Sequence, residues 1–108
     1  MAMDVFGSRP KSSVSQVFDC AWVVWGPLWG YCCDVAPEIT SKVKFAYTND
    51  WDGLGEDDAE ALAAKLRVEL EHGRVARVAA VQGIGVFNER LVAAFAAFLE
   101  ACGGFVLS

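Results

Sequence analysis

Between Glu56 and His72, apolar residues recur at three- and four-residue spacing: Ala59, Leu62, Ala63, Leu66 and Leu70. That period places them on one face of an α-helix, because an α-helix turns once every ~3.6 residues. The other positions are mostly charged or small, so the helix is amphipathic. Asp57 and Asp58 fall in its first turn, where negative charge complements the helix dipole. Gly73 stands where a glycine commonly ends a helix. Such a helix is marginal alone and must cover its apolar face. A second segment offers the matching stripe. Asn88 has the chemistry of an N-cap, and Leu91, Val92, Phe95, Phe98 and Leu99 then face one side up to Ala101. Gly103-Gly104 stops that helix. Leu62, Leu66 and Leu70 are expected to pack against it.

The rest of the chain is read around this pair. With 108 residues, one domain is expected. Hydrophobic residues at 55% against charged residues at 21% argue against disorder. Residues 1–13 carry Gly7, Pro10 and three serines and read as a flexible N-terminal arm. Residues 14–108 then form the globular domain. Val14, Val17, Phe18, Ala21, Trp22 and Trp25 recur at helical spacing, although their β-branched and aromatic content also suits a strand. Helix is the reading adopted for 14–25. Gly26-Pro27 breaks it, and Pro27 fits the first position of a new helix. Leu28, Tyr31, Cys32 and Val35 share one face of that helix, and Pro37 ends it or starts another turn. Val43 to Tyr47 alternates as a short strand would. Asn49 to Gly55 is a turn by composition. Arg74 to Val86 is β-branched and glycine-punctuated, which fits a strand or an ordered loop. Phe105-Val106-Leu107 reads as a terminal strand. The expected class is a small α+β domain, mainly helical, with three to four helices and a minor antiparallel sheet.

Several chemistries lack their parts. Four cysteines, Cys20, Cys32, Cys33 and Cys102, follow a polar stretch without an apolar leader, so reduced thiols in a cytoplasm are expected. The vicinal Cys32-Cys33 pair lacks Cys-x-x-Cys spacing. The longest uncharged run, between Asp19 and Asp34, is shorter than the ~20 apolar residues a spanning helix needs. His72 is the single histidine, so neither a metal centre nor a histidine-based triad is expected. Asp50-Trp51-Asp52-Gly53 invites a calcium-loop reading. With Gly53 at position six, however, Thr48 comes first and Ala59 twelfth, where carboxylates belong. Gly83-x-Gly85 lacks the third glycine of a dinucleotide loop and the lysine of a phosphate loop. No catalytic residue, metal or cofactor is expected.

The charge pattern points elsewhere. Fourteen acidic residues against nine basic ones leave a net charge of −5, which repels nucleic-acid phosphates and attracts basic partners. Six of the acids, Asp50, Asp52, Glu56, Asp57, Asp58 and Glu60, fall within eleven residues that contain no base. Cys32-Cys33-Asp34 and Glu38 add to the cluster if the preceding helix packs nearby. Trp51 sits between two aspartates in a turn, a setting for an exposed interface anchor or a staple onto the helix. Asp50, Trp51, Asp52, Glu56, Asp57, Asp58 and Glu60 are therefore the candidate partner-binding residues. The apolar segment from Trp25 to Tyr31 is the alternative surface.

Three stretches carry a resemblance: Trp25 to Tyr31 (WGPLWGY), Asn49 to Leu54 (NDWDGL) and Phe98 to Phe105 (FLEACGGF). They resemble patterns in small acidic proteins of bacteriophages and mobile elements. Anti-CRISPR inhibitors are one functional group of this size and acidity, and several of them imitate the phosphate charge of DNA. The resemblance implies a non-enzymatic inhibitor whose acidic face meets a basic protein or nucleoprotein surface, such as a CRISPR interference complex, inside a host cytoplasm. A bacterial immunity or antitoxin protein would use the same physics against a basic nuclease. An unfamiliar enzyme or small-ligand binder is the third reading, for which a deep apolar pocket lined by Trp25, Tyr31 and Cys33 would speak.

Overall fold

The computed structural model describes residues 2–44, 46, 52–82 and 87–107. It is an α+β fold in which helices pack on a four-stranded antiparallel sheet. The sheet starts at the N-terminus. Strand β1 (Ala2–Gly7) alternates buried Met3 and Val5 with outward Asp4 and Phe6. Strand β2 (Val17–Ala21) turns Phe18 and Cys20 inward and leaves Val17, Asp19 and Ala21 exposed. Both are short runs of period two, the periodicity of a sheet with one wet face. Strand β3 (Gly53–Leu54) and strand β4 (Phe105–Leu107) complete the order β2-β1-β4-β3. β1 therefore lies inside the sheet, paired with β2 on one side and β4 on the other.

Residues 1–13 are not a loose arm, because 2–7 form an inner strand. A 3₁₀ turn over Ser13–Ser15 then follows, tied by Ser15 Oγ donating to the Ser12 carbonyl at 2.9 Å. The segment 14–25 is not one helix. Its middle is β2, and the helix begins only at Trp22.

Helix α1 (Trp22–Val35) runs straight through Gly26-Pro27, where a break was expected. An interior proline removes one hydrogen bond and costs about 3 kcal/mol. Continuing the helix keeps Trp25 and Trp29 one turn apart on the buried side, with stacked rings 5.4 Å apart. A fully buried indole removes roughly 150–250 Å² from water, on the order of 4 kcal/mol or more, so the two together outweigh the proline. The Trp25 indole N–H also finds the Ala46 carbonyl at 2.8 Å. After a kink at Ala36, Pro37 opens the single turn α2 (Pro37–Thr40).

Helix α3 (Glu56–Glu71) matches the sequence reading closely. Ala59, Leu62, Ala63 and Leu66 are buried and Leu70 is half-buried. Gly73, at φ 74°, ends it and lets the chain turn at once into α4 (Arg74–Gln82). That segment was expected as strand or loop. Val75 is instead buried and Val78 and Ala79 are half-buried at helical spacing, so packing overrides the strand propensity of its valines. The strand expected at Val43 to Tyr47 is also absent at its described positions. Val43 and Lys44 lie outside any strand, and Phe45 and Tyr47 lie outside the described residues. Helix α5 (Glu89–Ala101) starts as expected, with the Asn88 carboxamide accepting from the Leu91 N–H at 2.9 Å. Its buried Val92, Phe95, Ala96, Phe98 and Leu99 face α3 and the sheet. The described residues thus hold five α-helices, one of them a single turn, where three or four were expected.

Gly103 and Gly104 take φ of 67° and 91° and swing β4 back into the sheet. The loop after β1 caps the end of α5 as it passes. The Arg9 N–H reaches the Cys102 carbonyl at 3.0 Å and the Lys11 N–H reaches the Ala101 carbonyl at 2.8 Å. This crossing fixes where two basic side chains stand.

Candidate functional site

The first turn of α3 carries Glu56, Asp57 and Asp58, with Glu60 one turn on. The extended Gly55 lets the chain enter the helix directly from β3. These carboxylates reach the surface, but they do not stand without bases. The loop that caps α5 brings Arg9 to 3.7 Å from Glu56 and Lys11 to 3.7 Å from both Glu56 and Glu60. Lys42, just after α2, contacts both carboxylate oxygens of Asp58 at 3.0 and 3.1 Å. The sequence window holds no base because its cations come from residues far away in the chain.

Asp52 has a local task. One oxygen accepts the Lys44 N–H at 2.6 Å and the other its neighbour Gly53 N–H at 2.9 Å, which holds the entry to β3. Asp57 remains exposed, with no ion pair among the described residues. Asp50 and Trp51 lie outside the described residues. Glu38 does approach α3, where Lys65 meets it at 3.5 Å. Its carboxyl is held below the usual range, first by its own backbone N–H and then by Lys65. The structure thus groups Glu56, Asp58 and Glu60 with three cations and makes Asp52 a turn residue.

The sequence reading missed a polar cluster between α1, α3 and α4. The Tyr31 hydroxyl donates to Glu69 at 3.0 Å, and Arg74 donates to the other oxygen of the same carboxylate. Burial, and then the Glu69 carboxylate, push the Tyr31 hydroxyl far above its ordinary value. Beside this cluster runs a groove of about 630 Å³ lined by Val35, Ala61, Ala64, Val68, Glu69 and Arg74. A second, of about 420 Å³, is lined by Pro27, Gly30, Tyr31, Asp34 and Val78. The Tyr31 proton is committed to Glu69 and the Glu69 charge to Arg74, so the cluster works as a strut joining three helices. The hint in the sequence was Glu69 and Arg74 flanking the Gly73 turn.

None of these grooves is lined jointly by Trp25, Tyr31 and Cys33. Trp25 is fully buried, and Cys33 lines a separate groove of about 320 Å³ with Trp29, Pro37 and Thr40. All four cysteines are free thiols. Burial raises Cys32 and Cys102, and burial followed by Asp19 and Asp4 pushes Cys20 up to about 11. Protonated thiols are poor nucleophiles and poor metal ligands. Among the described residues no three His, Cys, Asp or Glu side chains come together as a metal site. No described helix is long and apolar enough to cross a membrane.

A last group lies on the outer face of the sheet. The register sets Asp4 directly opposite Asp19. Their carboxyls share a hydrogen bond, which together with burial and the Asp19 charge holds Asp4 above the usual carboxylate range. Phe6 and Val17, both exposed, form the next cross-strand pair. Comparison with known proteins returns no match to this chain, whether among protein-family models, curated proteins or solved structures.

Proposed function

We propose that the protein is a non-catalytic binding protein that offers the first turn of α3 to a basic surface of another protein or nucleoprotein complex. One observation carries this reading. Glu56, Asp57, Asp58 and Glu60 gather at one surface helix start, and two of the three cations meeting them do so loosely. Arg9 and Lys11 make contacts of 3.7 Å from side chains that are 75% and 58% exposed. Exposed pairs of this kind are worth about 0–1 kcal/mol, so a partner's arginines can replace them at little cost. An acidic patch of this kind accelerates encounter more than it deepens affinity. An inhibitor of a CRISPR interference complex and an immunity protein against a basic nuclease are two forms of the same reading.

The test is affinity capture from cell lysate, followed by association kinetics of the captured partner across salt concentrations. The double reversal Asp57→Lys/Asp58→Lys is expected to slow association by about tenfold at low salt. It should leave the fold intact by circular dichroism. A partner whose association ignores both the reversal and the salt would remove this reading.

A further inference from the structure

We propose that the free edge of β2 accepts an extended segment of a partner protein as a fifth strand, with an arginine or lysine of that segment set against Asp19 and Asp4. This surface is separate from the first turn of α3, and the inference does not depend on the reading given above.

The edge is open by construction. β2 is the terminal strand of the order β2-β1-β4-β3. The Gly7 N–H to Gln16 carbonyl bond, at 2.8 Å, fixes the phase of the ladder. In an antiparallel pair, hydrogen-bonded and non-hydrogen-bonded residue pairs alternate. Val5 with Phe18 and Met3 with Cys20 are then the bonded pairs, given the register. Val17 and Asp19 point their N–H and C=O groups away from β1, and among the described residues nothing meets them. Edge strands are ordinarily blunted by charged side chains, lysine above all, by proline, a bulge or a covering element, and the single charge in β2 is Asp19. Val17–Ala21 (VFDCA) contains neither lysine nor proline, and its register with β1 runs without a bulge.

The side chains beside that edge select the occupant. Asp19 and Asp4 form a non-hydrogen-bonded pair, the closer of the two kinds, and like charges so placed repel. No cation pairs with either among the described residues. Exposed Val17 and Phe6 adjoin them. A basic residue within an otherwise apolar strand would relieve the repulsion and cover the apolar pair. A second copy of this chain fits worse. Antiparallel pairing of two β2 edges about Asp19 would set that carboxylate against its own counterpart. Five residues of β2 offer about 16 Å of edge, room for a five-residue strand. Backbone bonds along an added strand supply affinity, and its alternate side chains supply selection.

The probe is an amidated synthetic peptide alternating valine with arginine, with its glutamate counterpart as control. In an amide-resolved NMR titration the arginine peptide should shift residues 16–21 and slow hydrogen exchange at the Asp19 amide. The glutamate peptide should do neither. Asp19→Lys is expected to weaken binding at least about tenfold, the scale of a lost close charge pair. Asp19→Pro, which also removes the outward N–H, should abolish it, because proline is tolerated on an edge strand while blocking its ladder. If Asp19→Pro fails to fold, Asp19→Lys decides alone. The proposal is overturned if the arginine peptide shifts no amide of β2 at millimolar concentration, or if it binds Asp19→Lys as tightly as the parent. Asp57→Lys/Asp58→Lys should leave these shifts unchanged, which keeps this test apart from that of α3.

Discussion

Asp4 and Asp19 show how a two-residue arrangement sets a pH response. Sharing a proton across the strand pair raises Asp4 in the folded state. A carboxyl raised by folding favours the folded state in acid, and that contribution is lost as pH rises through the raised value. Asp4→Asn keeps an N–H facing Asp19 at every pH. Its melting temperature is therefore expected to exceed the parent's at neutral pH, with the gain fading as pH falls into the ordinary carboxylate range. Thermal melts at several pH values check this, and an equal gain at all pH would rule out the shared proton as its cause. Leu66 tests the core in the same way. It is fully buried on α3, so Leu66→Ala is expected to cost about 2–5 kcal/mol in urea unfolding. A loss under about 0.5 kcal/mol would place it on the surface.

At the scale of elements, the glycine pair after α5 is a place where backbone conformation is tightly set. A Cβ on Gly103 would lie 2.5 Å from the Arg9 carbonyl oxygen and 2.7 Å from the Arg9 Cβ. With φ at 67° as well, Gly103→Ala is expected to cost at least about 1–3 kcal/mol, read from the urea midpoint. It should also displace Arg9 from Glu56. The helices α3 and α5 were legible in the sequence because long amphipathic periods, a first-turn acid pair, an asparagine cap and terminal glycines all agree there. The strands β1 and β2 were not. Each is too short for period two to stand out, and Phe18, Ala21 and Trp22 also fit a helical period across the strand-to-helix junction. At Pro27 a local breaker was overruled by two buried indoles, and in α4 β-branched residues were overruled by packing. Neither outcome is visible without the tertiary partner. The acidic residues of α3 could be found by counting. The cations that answer them, Arg9, Lys11 and Lys42, could not, since the loop that caps α5 brings the first two there and the end of α2 brings the third.

The whole molecule is closed by its two ends. β1 near the start of the chain and β4 near its end lie side by side at the centre of the sheet. Met3, Val5, Phe105 and Leu107 from these strands are all buried, and Phe105 packs edge-on against Trp29 at 6.3 Å. Removal of residues 1–7 therefore takes two side chains from the core and leaves both β2 and β4 without their shared neighbour. A loose arm could be removed with little change in stability, because nothing buried would depend on it. Here the loss is of another size. Met3 and Val5 each contribute about 1.5–3 kcal/mol by burial, and the ladder bonds to two strands add to that. Total stability for a domain of this length is about 5–15 kcal/mol, so the truncated chain is expected to lose most of it. The expected readout is loss of a cooperative thermal transition, together with collapse of NMR amide dispersion across β2 and β4. Adding the missing strand back as a synthetic peptide should restore dispersion in β4 and β2 together, since one strand bridges both. Recovery in neither, or a truncated chain that still melts like the parent, would show that the sheet does not depend on its N-terminal strand.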